Sequence, residues 1–529
     1  MFKGTNLTGF TESAEGKEFL QSFSPVTQQY LDGKFCVATP AEVERAIAKA
    51  KTSFEVYKSV TPEKKAVFLE TIAEEILQLG DILIQRAMLE TGLTEARLTG
   101  ERGRTMGQLK LFAALLREGS WVEAVIDPAQ PERKPLPRAD LRKMLVPIGP
   151  IVVFGASNFP FAFSTAGGDS VAAWAAGNPV IVKAHASHLG TNELVGGAIK
   201  TAAEKCGMPD GLFSYVIGKG AVTGMQLVKH PAVKAVGFTG SYQAGMAIYK
   251  AAVNERKEPI PVYAEMSSIN PVLVLPHQLQ KDVSKTASLL AGSVTLGVGQ
   301  FCTNPGLIFL IENDTTETFT KELAAQLSAA APGVMLNKQI CNSYYANIDI
   351  VAGQEGVTTL VAGNNAADSI KGSPALLEVS AAKFIANADL QTEIFGPATM
   401  IIRCKDQAEL LAALGSLHGQ LTGTVIADES DLQEFSASVG LLTEKVGRIL
   451  FNGVPTGVEV CHAMVHGGPF PSTSFGGSTS VGTDAIKRFT RPVCWQDCPP
   501  AFLPDALKDD NPLHLMRKVN GVYTRDRIV

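Results

Sequence analysis

Cys302 is the residue whose type and surroundings best suit covalent chemistry. It lies in segment 297–306, Gly-Val-Gly-Gln-Phe-Cys-Thr-Asn-Pro-Gly. Because glycines adopt tight turns that other residues avoid, this cysteine can sit on an exposed bend. Backbone N–H groups beside such a bend lower the pKa of a thiol and bind an oxyanion. The segment therefore predicts a nucleophile, and the alternative is a buried cysteine in an ordinary loop.

Glycine-rich turns elsewhere in the chain are typical of phosphate-binding sites. One turn follows a predicted strand and contains Thr239, Gly240 and Ser241, and a second contains Gly218 and Gly224. Small residues there let a helix N-terminus and its backbone N–H groups approach a pyrophosphate. A single glycine-rich turn is weak evidence, but its position in a βαβ series strengthens it.

A carboxylate and an aromatic ring come just before a Gly-Pro turn. They are Glu393 and Phe395, in the run Glu-Ile-Phe-Gly-Pro over 393–397. The pair is a further candidate for the functional site, and the alternative is an ordinary entry into a turn.

The elements that must position these residues are indicated by capping signals and periodicity. A capping box at Thr39–Glu42 opens one helix, Thr61 and Pro62 open another through about Leu79, and a third spans about 95–116. From Pro147 onward, short β-branched runs alternate with helical segments, which indicates a parallel sheet with ligands at the carboxyl ends of its strands. The predicted strands are 151–155, 179–183, 213–217, 234–238 and 260–265. A second α/β stretch covers about 270–467, and a hairpin arm is expected within 121–143.

In this order and spacing, the motifs resemble the aldehyde dehydrogenase superfamily over about residues 30–500. The resemblance implies an α/β, aldehyde dehydrogenase-like fold with a Rossmann-type parallel sheet domain, an α/β catalytic domain and a β oligomerisation arm. It implies dinucleotide binding by 1–120 and 145–265, catalysis by 266–475 and an arm at 121–144 and 476–505. Residues 506–529 are expected to form a C-terminal surface tail.

The resemblance also implies roles for single residues. Cys302 matches the nucleophile that forms a thiohemiacetal and then a thioester, Asn158 matches the amide of the oxyanion hole, and Glu265 matches the general base. Without the resemblance, Glu265 would be interpreted as a salt-bridged residue at a strand end. The implied cofactor contacts are Lys183 to the adenosine ribose, Ser241 to the pyrophosphate, Glu393 to the nicotinamide ribose, and Phe395 beside it.

A departure from the family pattern bears on the cofactor. NAD-dependent relatives carry a glutamate three residues after the ribose-binding lysine, and this chain has Ala186 there. No carboxylate repels a 2′-phosphate, and His185 and Ser187 can donate hydrogen bonds to one. NADP is therefore expected, with NAD as an open alternative and solvated loop residues as the other interpretation of these side chains.

Unusual segments at 265–271, 167–169, 452–460 and 466–471 resemble the branch of the family that oxidises 2-oxoglutarate semialdehyde. Long-chain fatty aldehydes are the second substrate hypothesis, and transfer of the acyl group to coenzyme A is the third. A non-catalytic binding homologue is the hypothesis from another class. Arg104 and Gln108 share a helix face, where the arginine can pair with a substrate carboxylate, although a surface arginine is the plainer interpretation. The expected apolar walls are Phe159, Phe301 and Phe470.

Metal binding is not expected. His462 and His466 stand four residues apart beside Cys461, but the glycines that follow indicate a loop, and no glutamate occupies the metalloprotease position. Cys494 and Cys498 are too isolated to suggest zinc.

Composition restricts the class of protein. The chain has 529 residues, 45% hydrophobic and 19% charged, with a net charge of −5, so no basic stripe suggests nucleic acid. Its eight cysteines are scattered, and no stretch reads as a signal peptide or membrane span. A cytoplasmic homodimer or homotetramer acting on a small-molecule aldehyde is expected.

Overall fold

Local capping fixes the helices that begin the chain. The computed structural model describes residues 2–364 and 369–528. Thr39 accepts a hydrogen bond from the Glu42 N–H and completes the predicted capping box, and Thr61 caps the next helix in the same way. Both cap predictions are confirmed. The helices before the first buried strand are Pro40–Tyr57, Pro62–Gln78, Gly80–Thr91 and Glu95–Glu118.

The first sheet has seven strands, and the five predicted β-branched runs form its parallel part. Its strands, in spatial order, are Val262–Glu265, Ala235–Thr239, Ile151–Phe154, Val180–Lys183, Phe213–Val216, Asn6–Thr8 and Thr11–Ser13. The last two run antiparallel and were not predicted, because three-residue strands carry little periodicity. The helices between its strands are Gly168–Ala176, Leu189–Lys205, Met225–Lys229 and Tyr242–Asn254.

The second sheet also has seven strands and follows the first along the chain. Its strands, in spatial order, are Thr358–Val361, Ala375–Ser380, Ala398–Cys404, Leu307–Ile311, Val272–Val274, Gln420–Ile426 and Val446–Phe451. All neighbours pair in parallel except the first two. Its helices are Pro276–Lys281, Val283–Thr295, Asp314–Ala329, Lys338–Ala352, Ala381–Ala386, Gln407–Ser416, Glu429–Glu434 and Ser436–Lys445.

A third sheet of five strands contains the predicted arm. Val125–Asp127 and Leu141–Pro147 pair antiparallel, as the hairpin prediction requires, and Thr490–Gln496 joins their edge. Arg517–Val519 and Val522–Thr524 add the remaining two strands. The expectation of a surface tail at 506–529 is therefore wrong for these residues, because their backbone groups pair with the arm.

Candidate active site

The loop that carries Cys302 has a backbone that only glycine-rich sequence accommodates easily. Gly297, Val298 and Gly299 adopt φ of 56°, 60° and 62° in succession, within the left-handed region. A Cβ on Gly299 would lie 2.2 Å from the carbonyl carbon of Gly396, so the loop packs directly on the segment after Glu393. This packing brings the predicted nucleophile close to the predicted ribose-binding turn.

The Cys302 side chain meets two residues that lie far away in the sequence. Its Sγ lies 3.4 Å from Nε2 of His466, and the same nitrogen lies 2.9 Å from Oε1 of Glu265. The three functional atoms all lie within 4.8 Å of one another. Because Cys302 also lines a cavity, we interpret the cluster as a proton-transfer group, and the expected absence of a metal stays a prediction.

The neighbours of Glu265, the predicted base, favour its ionised form. Ser480 donates to Oε2 of Glu265 at 2.8 Å, while His466 contacts its other oxygen. Burial alone would raise the pKa of Glu265, but these two neighbours lower it, and the net pKa lies below the ordinary value. Burial, and then the Glu265 carboxylate, raise the pKa of the Cys302 thiol well above its usual range.

Asn158 lies beside the nucleophile loop. Its side-chain amide donates to the carbonyl of Gln300 at 3.1 Å, two residues before Cys302. The backbone carbonyl of Asn158 accepts a hydrogen bond from Arg97 Nη2 at 3.2 Å. One amide hydrogen is therefore engaged with the loop, and the amide has a second hydrogen to offer an oxyanion.

A cavity of about 350 Å³ leads to Cys302. Arg97 and Arg104 lie on one side of it, and the Arg104 guanidinium lies 5.0 Å from the Phe163 ring centroid. The buried Glu101 lies between the two arginines in sequence and 3.8 Å from Arg97. The other residues that line the cavity include Phe159, Phe163, Phe301, Thr303, Gly457, Val458 and His466.

The structure brings some of the predicted substrate residues to this cavity and not others. Arg104, Phe159 and Phe301 line it. Gln108 lies one turn further along the helix, where its amide packs against Gly168, so it does not reach the cavity. Phe470 is 56% exposed and stacks edge-on against Tyr242 at 6.1 Å, on the side of the glycine-rich turns.

The carboxyl edge of the first sheet gathers the predicted cofactor residues. Lys183 ends one parallel strand, and Thr239 ends another opposite Glu265. Lys183 is 9% exposed, and burial lowers its pKa to about 8. Ser241 caps the helix Tyr242–Asn254 by accepting a hydrogen bond from the Ala244 N–H. This helix therefore begins at the same edge, with its cap two residues after the strand that ends at Thr239.

The glycines of these turns are tightly packed. A Cβ on Gly218 would lie 2.0 Å from Oγ1 of Thr223, and one on Gly224 would lie 2.7 Å from the Phe154 ring. A Cβ on Gly240 would lie 2.7 Å from the Phe238 ring. Side chains there would displace the turns that leave room for a ligand.

The two residues expected at a 2′-phosphate lie just beyond Lys183. The Ser187 N–H donates to Nδ1 of His185 at 3.2 Å, which leaves Nε2 of that ring as the donor. Burial lowers the pKa of His185 well below its usual value, so the ring is neutral at physiological pH. Ser187 Oγ accepts a hydrogen bond from the Asn337 amide.

Glu393 and Phe395 are partly buried before the Gly-Pro turn. The Ser268 N–H lies 3.4 Å from Oε1 of Glu393, and burial raises the pKa of this carboxyl to about 7. The carboxyl therefore takes up a proton at higher pH than a solvent-exposed glutamate does.

Sequence reasoning missed two residues of the site. From the sequence, His466 is a candidate only for metal binding, because 164 residues separate it from Cys302 and no local motif points to the contact. Arg97 was overlooked, although it precedes Arg104 by seven residues on the same helix and so shares its face.

The comparisons with known proteins identify the family. The model of the aldehyde dehydrogenase family matches residues 10–493. The chain belongs to the aldehyde dehydrogenase family. Within this family, an Azospirillum brasilense protein named alpha-ketoglutaric semialdehyde dehydrogenase 2 is 51% identical, covering 98% of this chain and 99% of its own. The alpha-ketoglutaric semialdehyde dehydrogenase of Acinetobacter baylyi is 47% identical, covering 96% of each chain.

A solved aldehyde dehydrogenase-like structure shares the fold. The 1-pyrroline-5-carboxylate dehydrogenase from Thermus with bound NAD superposes with a TM-score of 0.77 and 22% identity, covering 93% of this chain and 92% of its own. The predicted fold class is therefore confirmed. Within the part of the chain that the structure describes, no helix combines the length and apolarity needed to cross a membrane.

Proposed function

We propose that this aldehyde dehydrogenase oxidises 2-oxoglutarate semialdehyde to 2-oxoglutarate through a thioester on Cys302. The observation that carries the substrate is the pair Arg97 and Arg104, which line the same cavity as Cys302. Guanidinium groups bind carboxylates through paired, charge-assisted hydrogen bonds. The names of the two semialdehyde dehydrogenases at about half identity support the same substrate.

The charge of the cavity suits a substrate with one carboxylate. Arg97 and Arg104 contribute two positive charges, and Glu101 offsets at most one of them, because burial raises the pKa of its carboxyl. The cavity therefore keeps a net positive charge on the side of the arginines. A long alkyl chain would leave the Arg104 guanidinium without a polar partner, so the fatty-aldehyde alternative is not favoured.

The side chains around Cys302 supply the first half of the reaction. The thiolate adds to the aldehyde carbon, and the second N–H of the Asn158 amide stabilises the developing oxyanion. A nicotinamide cofactor, when bound, accepts the hydride that leaves this carbon. Phe159 and Phe301 exclude water from one wall of the cavity while the carbon is tetrahedral.

Glu265 supplies the second half. Its carboxylate lies beside Cys302 and is ionised at neutral pH, so it can take a proton from the water that attacks the thioester. A base held for this purpose favours hydrolysis over transfer to coenzyme A.

The carboxyl edge of the first sheet fits a dinucleotide. Lys183 is buried there, and no charged group among the described residues offsets the burial of its ammonium group, which leaves it for a ligand. With Ser241 at a helix N-terminus and the packed turns at Gly218 and Gly224, it would hold the ribose and pyrophosphate. Glu393, with Phe395 beside it, would hold the second ribose.

Ala186 and its neighbours support a preference for NADP over NAD. Ala186 is exposed and presents no carboxylate to a 2′-phosphate. Nε2 of His185 and the hydroxyl of Ser187 offer neutral hydrogen bonds to the phosphate, with Lys183 providing charge nearby. We expect NAD to remain usable, because none of the contacts from Lys183, His185 and Ser187 requires the 2′-phosphate.

Initial rates of NADP and NAD reduction test the proposal. We expect 2-oxoglutarate semialdehyde with NADP to give the highest kcat/KM, well above decanal with either cofactor. A preference for decanal would contradict the substrate, and a preference for NAD would contradict only the role of Ala186.

Two variants test the chemistry. Cys302→Ala should abolish oxidation and leave NADPH binding intact, as measured by fluorescence titration. Glu265→Gln should slow hydrolysis of the thioester and leave a burst of reduced cofactor in stopped-flow measurements. Turnover by the cysteine variant, or loss of the burst in the glutamate variant, would assign these residues other roles.

We also propose that the three sheets correspond to the predicted units for dinucleotide binding, catalysis and assembly in a cytoplasmic enzyme. The outer strand of the third sheet leaves Val522 66% and Tyr523 71% exposed. An exposed apolar edge strand is suited to pairing with another subunit, which supports a homodimer or homotetramer. Analytical ultracentrifugation would test this assembly.

A further inference from the structure

The side-chain amide of Asn270 contacts the backbone of the nucleophile loop. Its Nδ2 donates to the carbonyl of Cys302 and to that of Asn304, each at 2.9 Å. We propose that Asn270 is a positioning residue, which fixes the Cys302 backbone so that the sulfur keeps its place relative to the Asn158 amide. This inference rests on the proposed roles of Cys302 as nucleophile and Asn158 as oxyanion donor.

The partners of the Asn270 amide show which type of side chain this position needs. A backbone carbonyl only accepts hydrogen bonds, so the nitrogen of the amide must face Cys302 and Asn304. Its oxygen faces two hydroxyls, Oγ of Ser268 at 2.8 Å and Oγ1 of Thr422 at 3.0 Å. The side chain is 1% exposed. A carboxylate or an apolar side chain here would take the same donor away from both carbonyls.

The backbone of Asn270 is held in a conformation that few residues adopt. Its φ is 46°, in the left-handed region, where asparagine is more frequent than most other side chains. Residues in such conformations cluster at functional sites, because the surrounding structure must hold them there. Asn270 also belongs to 265–271, one of the unusual segments of the sequence, which begins with the predicted base. One short segment therefore carries both Glu265 and the amide that holds the nucleophile loop.

The nucleophile loop is also anchored on both sides of Cys302. The carbonyl two residues before Cys302 accepts a hydrogen bond from the Asn158 amide at 3.1 Å. Two residues after Cys302, the Asn304 amide donates to the Gly396 carbonyl at 3.1 Å. The bonds from Asn270 hold the backbone between these anchors. Without them, the Cys302 sulfur could move relative to the second N–H of Asn158, and a displacement of about 1 Å can cost about 100-fold in rate.

Two reactions of the same sulfur place different demands on this geometry. When the thiolate adds to an aldehyde, the C–S bond forms, the carbonyl π electrons move to oxygen, and the oxyanion must meet Asn158. When the thiolate reacts with iodoacetamide, the C–S bond forms as iodide leaves, and no oxyanion develops. A residue that positions Cys302 relative to Asn158 should therefore affect the first reaction far more than the second. A general loss of structure should change both.

Asn270→Gly removes the amide and accommodates the left-handed backbone. We expect the single-turnover rate of NADPH formation, with enzyme in excess over aldehyde, to fall by about 10- to 100-fold. The rate at which iodoacetamide alkylates Cys302, followed by mass spectrometry of its peptide, should stay within about threefold. Asn270→Ser keeps one hydrogen donor, so its single-turnover rate should fall less, and it tests the same point if the glycine variant does not fold. NADPH binding by each variant verifies the fold.

Asn178→Ala is the matched control. Asn178 is an equally buried amide that joins backbone groups at the opposite end of the strand that leads to Lys183. Its loss should lower stability and leave both rates within about threefold. Asn158→Ala should reproduce the pattern of Asn270→Gly. Combined with Asn158→Ala, Asn270→Gly should slow turnover by a smaller factor than it does alone, because both residues act on one geometry.

Three results would overturn the proposal: an unchanged single-turnover rate for Asn270→Gly, an equal loss in turnover and alkylation, or fully additive effects of Asn270 and Asn158. The aldehyde is whichever of 2-oxoglutarate semialdehyde and decanal the unaltered enzyme oxidises faster, so an incorrect substrate would leave the result unchanged. Failure of the Cys302→Ala prediction would instead refute the proposed nucleophile.

Discussion

Replacement of Arg104 by methionine should separate substrate recognition from catalysis. The described residues form no hydrogen bond or ion pair with this guanidinium, which rests on the Phe159 and Phe163 rings, and its Nε is buried without a partner. Methionine keeps much of the apolar contact and removes the charge. Because no protein group loses a partner, we expect the variant to fold with unchanged or slightly higher stability.

The size of the effect follows from the contact that is lost. A hydrogen bond to a charged group contributes about 1.5–3 kcal/mol, and each 1.4 kcal/mol corresponds to about a factor of ten. Arg104→Met should therefore lower kcat/KM for 2-oxoglutarate semialdehyde by roughly 10- to 100-fold. For pentanal, which has five carbons and no carboxylate, the loss in kcat/KM should be clearly smaller, because it reflects only the loss of the charge with which Arg104 favours the Cys302 thiolate.

Steady-state kinetics with both aldehydes measure this difference, and thermal unfolding checks the fold. Arg102→Met is the control, because Arg102 lies on the same helix but donates to the Gly80 carbonyl, away from the cavity. An equal loss for both aldehydes would mean that Arg104 shapes the site without binding the carboxylate. An unchanged kcat/KM for the semialdehyde would refute the proposed recognition.

Further outcomes are expected at the cofactor site and the nucleophile loop. Burial raises the pKa of Glu393 to about 7, so its carboxylate becomes protonated as pH falls below that value. KM for NADP should rise over the same pH range. Glu393→Gln should show a high KM for NADP that does not depend on pH. Gly299→Ala should lower the free energy of unfolding by about 2–5 kcal/mol, because Gly299 has a left-handed φ and a Cβ there would collide with Gly396. Gly292→Ala is the control, since Gly292 lies in a helix with open space around it and should not destabilise the protein. Urea titrations measure both. Ala186→Glu should raise KM for NADP at least about tenfold with little change for NAD, and equal changes for both cofactors would contradict the proposed position of the 2′-phosphate.

Sequence reasoning succeeded where the signal was local. Caps at Thr39 and Thr61 and the β-branched runs of the first sheet were predicted to within a residue or two, because each is specified by neighbours in the chain. The helix Gly80–Thr91 was missed, since it follows the preceding helix without a side-chain cap. The strands after residue 516 were missed for a similar reason, because their pairing depends on the distant arm.

The candidate active site shows the same division between features set by neighbouring residues and features set by long-range packing. Cys302 and the turn residues carry local glycine signals, so their neighbourhood was predictable. The contact of His466 with Cys302 and Glu265 is set by how segments of the chain far apart in sequence pack, and no spacing rule reports it. Gln108 shares a predicted face with Arg104, but the cavity ends before the next turn of the helix, which periodicity alone does not specify.

The helix Glu95–Glu118 joins substrate recognition to the oxyanion hole. Oε1 of Glu101 accepts hydrogen bonds from the N–H groups of Phe161 and Ala162, at 2.8 and 3.0 Å, and Arg97 donates to the carbonyl of Asn158. These bonds hold both ends of the segment that carries the Asn158 amide. Arg97 therefore helps to orient the oxyanion donor as well as lining the substrate cavity. Loss of Arg97 should impair charged and uncharged aldehydes alike, because both need the oxyanion donor. Arg104, which makes no such bond, is the residue whose removal isolates recognition of the carboxylate.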